Sequence, residues 1–345
     1  MTLQSSGQIS YSDIINEFGS SGNGGLGAYR VSENIGSLSN MPLDSGVPQS
    51  GAIAFNDFYS KKLNVVVDFH SGGTEYRQNA KNKYTANGVR VIGGFRTRPT
   101  NTSNIKVFVN VNKSIGSVTN NATSRCALRT GTWDSNTTLQ VDVGGSGKIY
   151  GAGGTGGSGS NGSGRGGDGG NGNSALGIEY NGTVVNVASG GYIQCGFEGG
   201  GGGGGGYSNP DKNPQDHLST GGGGGGGAGL PIGQGGVKGD GTFGAGSDGS
   251  AGDDSTRTIG GDGGDGGSGR GSSGGNGGRG AGTTFGAQGG GGGGGNVNNS
   301  PGGDSGSRGA AIRETSGVGF TLNISGSGQV VGDGNPANTA PGGVS

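Results

Sequence analysis

The chain is poor in the residues from which most enzymes build their sites. Among 345 residues there are two cysteines, two histidines, one tryptophan and nine prolines. Cys126 and Cys195 lie far apart with no second pair, which excludes a disulfide scaffold and a cysteine zinc site, so both read as small buried thiols. His70 and His217 stand in no nucleophile or metal motif, and His70 closes a strand-like run as a surface residue. A net charge of −1, with both signs interspersed, leaves no footprint for nucleic acid or an anionic membrane. The longest apolar stretch, around Val65 to Val67, is far too short to span a bilayer. The opening MTLQSSGQIS also lacks the basic and apolar regions of a signal peptide. Leu, Ile, Val and Phe together supply only 58 residues, below the fifth that marks a foldable globule, yet the charge is too low for ordinary disorder.

Glycine fills the space, with 96 residues divided as 16 in 1–143, 72 in 144–310 and 8 in 311–345. The stretch GAGGTG at 151–156, directly after GKIY, matches the G-x-G-x-x-G of a dinucleotide site. Such a site needs a helix to open at the third glycine. The sequence continues GSGSNGSGRGGDGGNGNSA, with no apolar residue at helical spacing and a helix penalty of about 1 kcal/mol at every glycine. The match is a by-product of composition, and no cofactor is expected. No metal is expected either: GGDGGDGG resembles a glycine–aspartate calcium repeat but lacks its periodic apolar position.

Outside the glycine region the residues are conventional. SGQISYSDI at 6–14 returns as SGAIAFNDF at 50–58, and in each copy an aspartate, Asp13 or Asp57, is placed to start a short helix; Gly19 stops the first. A segment of this size holds no large core, so it reads as a docking module. From 63 to 143 the runs LNVVVDFH, GVRVIGGFRTR, IKVFVNV and TTLQVDV read as strands. In IKVFVNV, Ile105, Val107, Val109 and Val111 alternate with Lys106, Phe108 and Asn110, the signature of one buried face. Strands at this density predict a compact β-sandwich with Trp133 as a core plug.

Within 144–310 the non-glycine residues recur every third position, as Thr155, Ser158 and Asn161, then Arg165, Asp168 and Asn171, then Asp262, Asp265 and Ser268, and again Asn276 and Arg279. Three residues per turn is the period of the left-handed extended helix, whose amides and carbonyls point sideways. A bundle of such helices exchanges backbone hydrogen bonds, with glycine permitting close approach and the third residue facing water. Collagen is excluded, because the region holds only Pro210, Pro214, Pro231 and Pro301. A flexible glycine linker is the competing reading. The unbroken runs at 199–206, 221–227 and 289–295 favour the bundle, as helices surrounded on every side. The richer segments 177–198, 207–220, 230–259 and 296–308 read as the turns between them. GSGKIYGAGG and NISGSGQVVGDG bracket the region like a β-layer that enters and seals it.

Glycine-rich runs alternating with polar and aromatic loops resemble the tail-fibre tip adhesins of T-even-like bacteriophages, whose distal domain is a sandwich of polyglycine type II helices. GKIYGAGGTGGSG is similar to segments that introduce such regions in phage tail proteins, and the paired hooks resemble the N-terminal module of phage receptor-binding proteins. The resemblance implies a non-enzymatic virion protein of the tail, made in the host cytoplasm and not inserted in a membrane. Its partners would be other tail proteins and a host-surface receptor, protein or glycan, met by loops at the free end of the sandwich. The candidate receptor residues are Tyr207, Asp211, Lys212, Asp216, His217, Phe243, Phe285 and Asn298, and the candidate attachment residues are Ile9, Tyr11, Ile14, Phe18, Ile53, Phe55, Phe58 and Tyr59.

The expected fold is therefore mostly β and irregular. It comprises an attachment module at 1–62, a β-sandwich-like domain at 63–143, a polyglycine II sandwich with display loops at 144–310, and a C-terminal β segment at 311–345. Two other readings stay open: a purely structural virion protein of capsid or tail, and an ice-binding protein of the snow-flea type. The charged third positions Arg165, Asp168, Asp262 and Asp265 weigh against the latter.

Overall fold

The computed structural model describes residues 3–22, 24–86, 89–118, 122–161, 164–207, 218–239, 259–265, 268–269, 272–273, 275–279, 281, 300–332 and 339–341. Helix α1 (Tyr11–Phe18), the hairpin β1 (Glu33–Ile35) and β2 (Leu38–Met41), and a 3-10 turn at Phe55–Phe58 come first. A coil of strands then begins with β3 (Asn64–Phe69), β4 (Glu75–Tyr76) and β5 (Gln78–Asn79), followed by helix α2 (Ala80–Thr85) and strand β6 (Val89–Val91). The second turn is β7 (Lys106–Val111), β8 (Ser114–Gly116) and β9 (Cys126–Arg129); the third is β10 (Thr138–Val143), β11 (Lys148–Tyr150) and β12 (Ser174–Ile178). The fourth opens with β13 (Thr183–Val187) and β14 (Tyr192–Gln194). Two small hairpins intervene, β15 (Gly206–Tyr207) with β16 (Leu218–Ser219) and β17 (Ser268–Gly269) with β18 (Ser272–Ser273), before β19 (Ile312–Glu314) completes the turn. The fifth is β20 (Phe320–Ile324), β21 (Gln329–Val331) and β22 (Thr339–Pro341).

Corresponding strands of successive turns pair in parallel, giving the orders β3-β7-β10-β13-β20, β4-β8-β11-β14-β21 and β5-β9-β12-β19-β22. Three sheets, parallel except for β6, which runs antiparallel along the free edge of β3, thus wrap one interior as a three-sided β-solenoid. Alternation puts Val67, Val109, Val141, Val185 and Leu322 in one inward row, and Ile115, Ile149, Ile193 and Val330 in another. The outward row Asp68, Asn110, Asp142, Asn186 and Asn323 forms an amide ladder. In it Asn110 donates to Asp68 at 2.8 Å, Asn186 to Asp142 at 2.8 Å and Asn323 to Asn186 at 2.9 Å.

The mostly-β reading holds, but the sandwich within it does not. A sandwich pairs antiparallel neighbours, whereas β3, β7 and β10 run parallel. The alternation in IKVFVNV marked the buried face correctly, and Ile105, Val107, Val109 and Val111 are all buried. Nothing in it marks a partner one coil turn away. The segment 177–198, expected as a turn between glycine helices, instead carries the end of β12 with β13 and β14. The expectation for KIY and QVV is met, since β11 and β21 lie in one sheet. Trp133 is a core residue, 8% exposed, edge-on to Tyr84 at 5.3 Å and donating its indole N–H to the Thr130 carbonyl.

The N-terminal residues close the first turn of the solenoid. Ser10 caps α1, and the Asp13 carboxylate accepts the Ser10 N–H at 2.8 Å in return. The second copy of the repeat reuses half of this device, Asp57 accepting the Ala54 N–H at 2.8 Å. Both aspartates therefore sit one turn inside, at the third helical position. Gly19 ends α1 at φ 95°, where a side chain would overlap the Phe95 backbone. Arg96 donates to the Asn16 and Glu17 carbonyls at the end of the helix, and Glu17 accepts the Leu63 N–H at 2.9 Å. Ile14, Phe18, Tyr29 and Phe58 enter the same core as Val65 and Val107.

Candidate functional site

The glycine segments leave the solenoid between its second and third sheets. In the third turn g1 (151–160) follows β11 and g2 (164–173) leads back to β12. In the fourth turn g3 (196–205) follows β14, and g4 (220–229), g5 (231–239), g6 (260–265), g7 (275–279 and 281) and g8 (300–309) precede β19. Every contact between them advances three residues at a time. Gly154, Gly157 and Ser160 of g1 donate to Phe197, Gly200 and Gly203 of g3 at 2.8, 2.9 and 3.0 Å. Gly199 and Gly202 of g3 donate to Gly170 and Gly167 of g2, and those two donate to Thr155 and Ser158 of g1, so the three close a ring of donation.

Taken together, the hydrogen bonds order the described segments in three layers: g2, g1 and g5; then g8, g3 and g4; then g7 and g6. In the middle layer, the carbonyls from Gly196 to Gly204 all accept, in rotation from g8, g1 and g7. Those from Gly221 to Ala228 likewise accept from g5, g3 and g6. Every carbonyl of these two stretches is thus paired, as burial demands of backbone acceptors, and they cover most of the two pure runs 199–206 and 221–227. A flexible linker has no such pattern. The third pure run, 289–295, lies outside the described residues.

The polar third positions key neighbouring segments together. Arg165 of g2 bridges to Asp304 of g8 at 2.7 Å, Asn276 of g7 donates to Asp265 of g6 at 3.2 Å, and Asp168 and Asn171 accept the Asp304 and Ser307 N–H groups. The exposed pairs contribute little energy each. Their consequence is register.

At the root, the bundle continues the sheets. The β11–β14 pairing runs on into g1–g3 through the Gly151 N–H on the Gln194 carbonyl, and the g2–g8 pairing runs on into β12–β19 through Ala175 on Ala310. Arg308 and Glu198 form a buried pair at 3.0 Å, with the guanidinium over the Phe197 ring. Cys195, Phe197, Ala228 and Ala281 make a small apolar cluster beside Val331.

Away from the root, the connections from g1 to g2, g3 to g4 and g6 to g7 meet at one end, whereas g4 turns into g5 at the root, where the Leu230 N–H bonds the Gly151 carbonyl. Ser160, Gly164, Gly203 to Gly205, Gly221, Gly222, Gly239, Gly275 and Ser300 are joined level with one another by hydrogen bonds or by close backbone approach. The two hairpins β15–β16 and β17–β18 rise from this level and touch each other.

Of the candidate receptor residues, Tyr207 opens the first hairpin, opposite Leu218. Asp211, Lys212, Asp216, His217, Phe243, Phe285 and Asn298 lie outside the described residues. The Ser268–Ser273 hairpin was not singled out from the sequence. Its signal was the break of the Gly-Gly-X period in SGRGSSGG. Among the candidate attachment residues, Ile9, Ile14, Phe18 and Phe58 are buried within this chain, Tyr11, Ile53 and Tyr59 are half-buried, and Phe55 is 41% exposed. A contact with another protein in this region has the latter four to use.

The remaining chemistry is quiet. Cys126 and Cys195 are free and buried, and burial pushes the Cys126 thiol up to about 12, leaving it protonated at neutral pH. Among the described residues no group of His, Cys, Asp and Glu could hold a metal ion, and no helix is long and apolar enough to cross a membrane.

No curated protein sequence matches the chain. Among solved structures it is similar to the gp37–gp38 adhesin tip complex of the bacteriophage S16 long tail fibre, at 19% identity and a TM-score of 0.38, with 98% of this chain and 99% of that chain covered. The family model of the phage tail fibre adhesin Gp38 matches residues 79–288, more than half of the sequence. The chain therefore belongs to the phage tail fibre adhesin Gp38 family, structural proteins of the virion tail and not enzymes.

Proposed function

We propose that this adhesin recognises a receptor on the host surface with the loops at the free end of its glycine bundle, read here as polyglycine II helices. The observation that carries the reading is the continuity from sheet to bundle: paired strands become paired glycine segments without a hinge, and the connections from g1 to g2, g3 to g4 and g6 to g7 lie at the far end. Such an arrangement presents loops on a stiff support, so recognition loses little to ordering the scaffold. Tyr207 with 208–217, between g3 and g4, and 270–271, between g6 and g7, supply the variable surface, and their aromatic and charged residues fit a protein or glycan receptor. Residues 1–62 join the chain to another tail protein through the face that bears Phe55.

Exchanging 208–217 for the corresponding loop of a phage with another host tests the reading. Host range is expected to follow the loop, with the purified protein still soluble. Unchanged host range after replacement of every far-end loop would move the receptor site elsewhere.

A further inference from the structure

The two ends of the solenoid are finished differently. The N-terminal residues close it at the first coil turn, where Ile14, Phe18, Tyr29 and Phe58 are fully buried. At the fifth turn, no strand among the described residues pairs with the outer edge of β20. Thr183, Val185 and Val187 of β13 are fully buried, whereas their register partners Phe320 and Leu322 are half-buried and Ile324 is 42% exposed. All three stand on the inward face of the strand, so the apolar surface they show is the interior itself, met from its end. The second sheet does not share this exposure: Val330 of β21, one turn after the buried Ile193, is 6% exposed.

The backbone is open at the same place. The Ser325 N–H donates to the Val187 carbonyl and the Gly182 N–H to the Gly319 carbonyl, which turns the odd-numbered residues of β20 toward β13. The N–H and C=O groups of Phe320, Leu322 and Ile324 therefore face the free edge, a template for pairing with another strand. The outward amide ladder stops there too. Asn186 donates to the rung before it and accepts from the rung after it. Asn323 donates in the same way, which leaves its Oδ1 as the acceptor for a further rung.

We infer that β20 receives an extended strand of a neighbouring tail protein, which adds to the first sheet as one more parallel rung. The rungs in place define the chemistry of that strand: a side-chain N–H donor between two apolar residues, as in Val185-Asn186-Val187 and Leu322-Asn323-Ile324. Main-chain bonds would hold it, and its alternate apolar side chains would cover Phe320, Leu322 and Ile324. A second copy of this chain would instead present β20 antiparallel across a twofold axis, against the parallel order of the coil. The inference rests on the reading that the chain joins another tail protein, and adds a contact at the last coil turn to the one at Phe55.

The probe is a synthetic peptide of residues 181–189, NGTVVNVAS, which carries the fourth-turn strand, titrated into the full chain. It is expected to bind with a dissociation constant below about 1 mM and to slow amide exchange at Phe320, Leu322 and Ile324 at least tenfold. Ile324→Lys sets a charge on the exposed inward position. It should weaken the peptide at least tenfold at an unchanged melting temperature, and lower incorporation of the protein into phage particles at least tenfold. Should that variant fail to fold, Asn323→Leu, confined to the exposed ladder, replaces it in both measurements. Absence of peptide binding would overturn the inference, as would normal incorporation of a variant that no longer binds the peptide. A full chain that is dimeric in solution and becomes monomeric with Ile324→Lys would assign the edge to a second copy, and would overturn it as well. Phe55→Asp should leave peptide binding unaltered, which separates failure here from failure of the Phe55 face.

Discussion

At the scale of single residues, the glycines of the middle layer are fixed by contact and not by conformational taste. A Cβ on Gly203 would overlap the Gly275 carbonyl, and one on Gly224 the Gly200 carbonyl. Alanine must push a neighbouring segment away and break bonds worth about 1 kcal/mol each, on top of overpacking of about 1–3 kcal/mol. Gly203→Ala and Gly224→Ala are expected to destabilise by about 2–4 kcal/mol. Ser158→Ala, at an exposed third position, should stay within about 0.5 kcal/mol. Thermal unfolding of the three variants checks the ordering; equal midpoints would contradict a packed bundle. This much was legible in the sequence, because Gly-Gly-X phrases and pure runs report directly which side of a segment meets backbone and which meets water.

Asp142 makes a second prediction at this scale. Its Oδ1 accepts from Gln140 and Asn186, while Oδ2 is closed off without a partner. Burial holds its carboxyl above the usual carboxylate range. The folded state therefore keeps the proton at a pH where the unfolded chain has lost it, so stability falls as pH rises from the ordinary carboxylate value through the raised one. Asp142→Asn keeps the Oδ1 acceptor and removes the buried charge. It is expected to raise the melting temperature at pH 7 by about 2 °C and to flatten that part of the pH profile. A lowered midpoint at pH 7, with the slope retained, would show that the carboxylate is well accommodated.

Elements show where sequence reading runs out. Val67-Asp68-Phe69, Val109-Asn110-Val111, Val141-Asp142-Val143, Val185-Asn186-Val187 and Leu322-Asn323-Ile324 are one motif repeated once per coil turn. Each copy is an Asn or Asp between apolar residues, ahead of a Gly- or Ser-containing corner. Alternation revealed the faces of the strands, but the repeat was hidden because the glycine segments inserted into the third and fourth turns make its spacing irregular. Helix α1 was legible from its start and stop signals, although its aspartate proved to be the third helical residue and Ser10 the cap.

The hairpin β1–β2 depends on that same ladder. Asn110 donates to the Ile35 carbonyl at 3.2 Å and accepts from Ser37 at 2.6 Å, while Ile35 and Met41 pack on Val66 and Ile92. Asn110→Leu is expected to release the hairpin first. Amide hydrogen exchange at 33–41 should accelerate at least tenfold, with the inward rows of the solenoid unchanged. Uniform acceleration across the solenoid would mean that the ladder holds the coil itself.

At the scale of the whole molecule, two regions are proposed for two tasks. The face carrying Phe55 is the proposed attachment face, and because Phe55 is exposed, Phe55→Asp should leave the melting temperature within about 2 °C while reducing incorporation of the protein into phage particles at least tenfold. Normal incorporation would place attachment on another face. Deleting 1–62 is a poorer experiment, since Ile14, Phe18 and Phe58 belong to the core and their loss would open the first coil turn. That the glycine segments pack as a bundle was inferable from their Gly-Gly-X period and pure runs, but its layers and its insertion into a solenoid were not. That relation lies in the pairing of β13 with β20, of β14 with β21 and of β12 with β19, across the glycine segments.

The central claim is that a stiff glycine bundle delivers its far-end loops to the host. Hydrogen-exchange footprinting of the full chain, free and bound to cell-envelope fragments of a susceptible host, tests it most directly. Protection is expected at 206–219 and 268–273, with the solenoid strands 64–69 and 138–143 and the bundle root unchanged. Protection confined to the solenoid, with the far-end segments exchanging as in the free protein, would contradict it.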